Sequence, residues 1–166
     1  MKCEKKTYIR CNTSKASREQ IKELLQRENV TVKEVGNIPY AYEISDYDYI
    51  AGLKSFQDGM YQIQDISSML AGEYTAPKAG DTIVDVCGAP GGKSINAALK
   101  MSEQGDCGRV IARDLSDYKV ALIDENIKRL NITNIQTQVY DALDCDESLI
   151  NKADIVIADL PCSGLG

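Results

Sequence analysis

The 166-residue chain contains no histidine. That removes the commonest general acid–base, so any chemistry must use carboxylates, lysines or thiols. Its six cysteines, at 3, 11, 87, 107, 145 and 162, never fall in C-x-x-C spacing. Without histidine, this pattern argues against a zinc site and gives no disulfide framework. No apolar run approaches the ~18 residues of a membrane span, and Met1-Lys2-Cys3-Glu4-Lys5-Lys6 lacks the apolar stretch of a signal peptide. Internal repeats and low-complexity tracts are absent too. The expectation is a cytoplasmic monomer with no metal and no membrane partner. A 43% hydrophobic content suits one core, or one core with a small appended unit.

The net charge of −6 argues mildly against nucleic-acid binding, but the average hides an asymmetry. Residues 1–35 carry nine Lys/Arg against five Asp/Glu, whereas residues 36–166 carry ten against twenty. The basic surplus reads equally as a solvated helix face or as an RNA-facing patch.

One stretch organises the chain: Thr82-Ile83-Val84-Asp85-Val86-Cys87-Gly88-Ala89-Pro90-Gly91-Gly92-Lys93-Ser94. Strand-favouring residues run into a turn with three glycines and a proline, then into the helical Ser94-Ile95-Asn96-Ala97-Ala98-Leu99-Lys100. Glycines allow close backbone approach, and the first helical turn supplies N–H donors, so the segment is a cradle for a nucleotide-like ligand. A phosphate-binding P-loop needs G-x-x-x-x-G-K-[ST]. Here Gly92-Lys93-Ser94 fits its end, but Cys87 stands where the first glycine belongs. Ile155-Val156-Ile157-Ala158-Asp159 resembles the magnesium-binding strand of such enzymes and keeps that rival in view. The alternative, an S-adenosylmethionine loop, needs no glycine at 87. It predicts an acidic residue closing the next strand, about 20 residues on, and Asp114 meets that requirement.

Upstream, Thr7–Cys11 reads as a strand, and Ser17-Arg18-Glu19-Gln20 as a capping box opening a helix with Ile21, Leu24 and Leu25 on one face. Val30–Val32 and Tyr40–Ile44 add two strands, making a small β-α-β-β unit. Residues 46–60 read as a connection, and 61–65 and 66–71 as an alternating segment and a helix. From residue 82 the pattern is β-α-β-α-β-α-β, with strands 82–87, 109–114, 135–140 and 154–159. Its helices are about 94–103, 117–130 and 146–151. That alternation predicts an α/β fold with a parallel doubly wound sheet whose ligand lies beyond the C-terminal strand ends. The expected division is 1–58, a small α+β subdomain and linker, and 59–166, a Rossmann-like domain.

Each of those four strands ends in a residue suited to a ligand edge: the 87–93 loop, Asp114, Tyr140-Asp141, and Asp159-Leu160-Pro161-Cys162. A single aspartate there is more often a cap, but three beside a glycine loop weaken that reading. Asp114 would bind a ribose diol; Asp141 would accept from the adenine amino group or order its loop. A cationic sulfonium suits an acidic rim. Cys162 is either a small, partly buried hydrophobe or a thiolate at the ligand edge. Carbon-5 of a pyrimidine accepts a methyl group only after a thiolate adds at carbon-6, so a cysteine near a methyl donor points to that chemistry.

Asp85–Ser94 together with Asp159-Leu160-Pro161-Cys162-Ser163-Gly164-Leu165-Gly166 resembles the RNA (cytosine-5)-methyltransferases, most of all the bacterial Sun/Fmu type acting on small-subunit ribosomal RNA. Arg10-Cys11-Asn12-Thr13 and Gln64-Asp65-Ile66-Ser67-Ser68 are similar to that family's R-x-N-T and Q-D-x-(A/S)-S segments. The resemblance implies a Rossmann-like S-adenosylmethionine-dependent methyltransferase fold, its parallel sheet truncated at the C-terminus, preceded by a small α+β RNA-recognition-like subdomain. It implies that Cys87, Gly88, Ala89, Pro90, Gly91, Gly92, Lys93, Asp114, Asp141 and Asp159 contact the cofactor or line its pocket, with ribosomal RNA as partner. Cys162 takes the assisting role in release of the covalent intermediate, the attacking thiolate lying on a later loop with a T-C motif. The chain is therefore expected to be a piece of a longer enzyme and inactive alone. The rivals are a non-catalytic S-adenosylmethionine- or RNA-binding module and a P-loop NTPase.

Overall fold

A computed structural model describes residues 6–105 and 108–160. By contacts the chain divides into two units. One is residues 1–73 with Arg129–Asn131; the other is residues 74–128 and 132–166.

The first unit is built on β1 (Thr7–Cys11), α1 (Arg18–Arg27), β2 (Thr31–Glu34), β3 (Ala41–Ser45), the short α2 (Lys54–Gln57) and β4 (Tyr61–Ile63). The capping box forms as the sequence predicts. Ser17 Oγ accepts the Gln20 N–H at 3.2 Å, and Gln20 Oε1 accepts the Ser17 N–H at 2.8 Å. The helix stops where Asn29 adopts φ 61°, a conformation asparagine tolerates better than most residues. The sheet is antiparallel, in order β2-β3-β1-β4. Alternation along β1 sends Ile9 and Cys11 into a core with Ile21, Leu25, Val30, Tyr42, Ile44 and Tyr61. A second cluster joins Ile38, Ala41 and Met69, with Tyr8, Tyr40, Ile66 and Leu70 packed against it. Met69, Ile66 and Leu70 come from α3 (Ile66–Thr75). The sequence-based boundary after residue 58 is thus displaced: β4 pairs with β1, and this unit runs on to Glu73.

The second unit carries β5 (Thr82–Asp85), α4 (Gly92–Ser102), β6 (Arg109–Asp114), α5 (Asp117–Leu130, whose last residues group with the first unit), β7 (Ile135–Val139) and β8 (Ile155–Ile157). All pairings are parallel, in order β7-β6-β5-β8, so the order reverses at β5. Ile83, Val84, Val110, Ile111 and Ala112, on the two central strands, are buried. Two expectations are corrected. The predicted helix at 146–151 is a single 3₁₀ turn, Glu147–Leu149, capped by Asp146, whose carboxylate accepts the Ser148 N–H at 3.0 Å. The last strand ends at Ile157, leaving Asp159 beyond it, and Val156 is 61% exposed. Among the described residues no helix is long and apolar enough to cross a membrane.

Leu25 is fully enclosed by the first unit's core. Leu25→Ala should therefore cost ~2–5 kcal/mol of stability, read as a lowered urea midpoint at unchanged m.

Candidate cofactor site

The ligand edge of a doubly wound sheet lies where strand order reverses, here at the end of β5. The loop after Asp85 is held from several sides. Gly88 N–H donates to the Arg113 carbonyl at 2.7 Å, and Gly91 N–H to the Gly88 carbonyl at 2.6 Å. Asn126 Nδ2 donates to the Pro90 carbonyl at 3.0 Å; the Ala89–Pro90 peptide is cis. Gly91 takes the cap position of α4 with φ 101°, and no side chain caps that helix. The backbone at φ 101° favours glycine, and a Cβ at Gly91 would crowd Ile95 Cδ1 at 3.0 Å and Ile123 Cγ2 at 3.3 Å.

Asp114, 3% exposed, closes β6 beside this loop. Its carboxylate accepts the Ala89 N–H at 3.0 Å and the Leu115 N–H at 2.8 Å, and pairs with Lys119 Nζ at 3.1 Å. Burial pushes its pKa up, but the two N–H donors and Lys119 outweigh burial and hold the carboxyl below its ordinary value. It is a fixed anion at the position expected for a ribose-binding group. Lys93, the lysine that a P-loop would aim at phosphates, instead meets Asp159 at 2.6 Å. An ammonium thereby occupies the carboxylate that the rival reading assigned to magnesium.

Cys87 is half-buried. Burial and the Asp114 and Asp85 carboxylates raise its thiol pKa, which disfavours the thiolate. Burial also pushes the Cys11 thiol up to about 12. Asp141 Oδ1 accepts the Leu143 N–H at 2.9 Å, which orders the loop after β7. That loop adjoins Asp114, whose carbonyl accepts the Tyr140 N–H at 3.0 Å. The structure thus brings together the 87–93 loop, Asp114, Asp159 and the start of the Asp141 loop. Cys162 lies outside the described residues.

Several supporting residues have no local signature. Asn126 and Lys119 sit on α5 and reach the site only through the β6–α5 turn. Ser94 and Asp85 lie inside the recognised motif, yet their bond, 2.6 Å from Ser94 Oγ to Asp85 Oδ2, needs the loop to fold back. Asp85 is 1% exposed, and its Oδ1 has no hydrogen-bond partner among the described residues. Burial raises its pKa despite the Ser94 hydroxyl.

The basic N-terminal surplus is largely engaged. Arg18 and Lys22 both pair with Glu34, at 3.3 Å each, Arg27 with Glu23 and Lys6 with Glu43. Arg10, 2% exposed, donates to Gln64 and Gln62 at 2.9 Å each. Lys15 donates to the carbonyls of Asp58 and Arg129.

A glycine loop at the reversal of a parallel sheet, with a fixed carboxylate on the adjoining strand, defines a Rossmann-like fold of the S-adenosylmethionine-dependent methyltransferase class. Residues 73–166 match the model of the 16S rRNA methyltransferase RsmB/F family, and the chain belongs to that family. It is 36% identical over 162 residues to a Bacillus subtilis (strain 168) protein described as "Probable ribosomal RNA small subunit methyltransferase B", covering 97% of this chain and 35% of that one. A tRNA (cytosine(72)-C(5))-methyltransferase of Pyrococcus horikoshii is 35% identical over 117 residues, 70% of this chain and 29% of the relative. The crystal structure of PH0851 superposes with a TM-score of 0.87 at 29% identity, over 95% of this chain and 35% of the other. The chain spans about a third of the length of these curated relatives.

The buried Asp85 generates a pH prediction. A carboxyl with a raised folded pKa contributes its full stability below the ordinary carboxylate value and loses it as pH rises through the folded value. Asp85→Asn should therefore gain stability relative to the parent as pH rises from about 4 to about 7. A constant difference in urea midpoint across that range would contradict the assignment.

Proposed function

We propose that residues 1–166 hold S-adenosylmethionine for a cytoplasmic enzyme that methylates carbon-5 of a cytosine in small-subunit ribosomal RNA. The observation that carries this reading is Asp114, a buried anion bonded to the Ala89 N–H of the glycine loop. In this reading Asp114 accepts from the ribose hydroxyls, Asp141 borders the adenine, and Cys87–Lys93 form the wall beneath the ribose and methionine parts. Bound there, the cofactor supplies an electrophilic methyl group. The protein's own residues would bind and orient it: the N–H groups and carbonyls of the loop, the Asp114 carboxylate, and the Lys93–Asp159 pair. Cys162 follows Asp159 by three residues. It assists release of the covalent intermediate formed by an attacking thiolate from outside residues 1–166.

Calorimetry should find that S-adenosylmethionine binds and ATP-Mg does not, with Asp114→Ala weakening binding by ~1–3 kcal/mol through lost charged hydrogen bonds. A preference for ATP-Mg would overturn the reading.

RNA contact is proposed to be weak in these 166 residues, because most of the described N-terminal basic residues are already paired. The face of the first sheet that carries Tyr8 and Ala41 is also packed against Met69, Ile66 and Leu70, so it cannot stack bases in the manner of an open RNA-recognition sheet. Binding to a ribosomal RNA fragment should fall steeply between low and moderate salt in a filter or anisotropy assay. Tight, salt-insensitive binding would contradict this.

A further inference from the structure

Strand β6 is apolar and buried through Val110-Ile111-Ala112, then places a guanidinium, Arg113, 6% exposed, in the sheet. A buried cation costs several kcal/mol unless fully partnered, and an aliphatic side chain usually serves packing as well. Arg113 is partnered on three sides. Its Nε donates to Gln138 Oε1 at 2.9 Å, from the residue paired with it across β7. Its terminal nitrogen forms an ion pair with Asp146. Its guanidinium carbon lies 4.2 Å from the ring centroid of Tyr140. Asp146 in turn caps the 3₁₀ turn through Ser148, and its carboxyl is held below its usual range by the Ser148 hydroxyl and Arg113. One side chain therefore grips the chain on both sides of Asp141-Ala142-Leu143, at Tyr140 before and at Asp146 after.

We infer that Arg113 is a positioning residue for the adenine end of the cofactor, setting the Asp141–Leu143 segment through its stack on Tyr140 and its ion pair with Asp146. The inference rests on the cofactor reading above. A guanidinium over an aromatic face is directional, because both partners are planar, whereas an ammonium fixes charge without plane. The Tyr140 N–H bonds the Asp114 carbonyl, so rotation of this segment shifts the adenine edge against an anchored ribose edge. Arg113 touches no reacting atom in this account.

The test is selectivity, measured by calorimetry on the full 166-residue chain with S-adenosylhomocysteine and its deaminated form, S-inosylhomocysteine. Hypoxanthine offers an oxygen acceptor where adenine offers an amino donor, so a correctly placed Asp141 discriminates between them. The parent should prefer the adenine form about tenfold, and Arg113→Gln should reduce this to about threefold or less. Tyr140→Phe, which keeps the ring, should retain the parent preference. A merely structural role would weaken both ligands alike, so an undiminished preference in Arg113→Gln overturns the inference, as does a parent with no preference. Should Arg113→Gln fail to fold, Arg113→Lys, which keeps the charge toward Asp146 and loses the planar stack, decides on the same criterion. Asp114→Ala should weaken both ligands by one factor. If it binds both as tightly as the parent, the cofactor reading falls, and this inference with it.

Discussion

The bond from the Ala89 N–H to the Asp114 carboxylate is the constraint on which the second unit's ligand edge depends. Parallel register places Asp85 opposite Ala112, so Asp114 projects two residues past the end of β5, level with the loop that follows it. There the carboxylate faces N–H groups that have left the sheet and need an acceptor. Once Asp114 fixes Ala89, the remaining turns of the loop follow, with Gly88 on the Arg113 carbonyl and Gly91 on Gly88. The third partner of Asp114, Lys119, is about half exposed, so that ion pair is screened by solvent and adds less than the two backbone donors.

Much of this arrangement was legible because short-range chemistry and long-range geometry agree. β-Branched runs, the capping box at Ser17 and the spacing from the glycine loop to Asp114 each have local causes, and each element lies where its residues predict. The third crossover was not legible. Residues 146–151 have helical composition, but Asp146 is drawn to Arg113, and the turn closes after one 3₁₀ cycle. Nor could periodicity show that Arg113 is buried, since an arginine at a strand end ordinarily reads as surface. The role of Asn126 depends on α5 lying alongside the loop, which no neighbouring residue announces. Cys162, singled out from the sequence, lies outside the described residues.

The first unit shows how a charge count can mislead. Its surplus of lysine and arginine looks like a field for polyanions, yet Glu34 alone engages Arg18 and Lys22, while Arg10 is buried against two glutamines. The R-x-N-T and Q-D segments, recognised separately, meet at that arginine: Arg10 in β1 holds Gln62 and Gln64, at and just beyond β4. Asn12 extends the same logic, its amide donating to the Gly59 and Leu130 carbonyls at 3.0 and 2.9 Å. Arg10 thus meets two side-chain amides, and Asn12 meets backbone carbonyls at a turn and at the end of α5, so both side chains find partners within the first unit.

The seating of Gly91 on Ile95 and Ile123 has a further consequence. A loop held by core contacts, an α5 side chain and a strand-end carboxylate has lost its conformational freedom before any ligand arrives. Its ordering entropy, on the order of 1–2 kcal/mol for each residue fixed, is charged to folding rather than to association. Such a preorganised surface binds with little induced fit. It also ties the shape of the loop to the hydrophobic layer beneath, where Ile95 and Ile123 lie against Gly91.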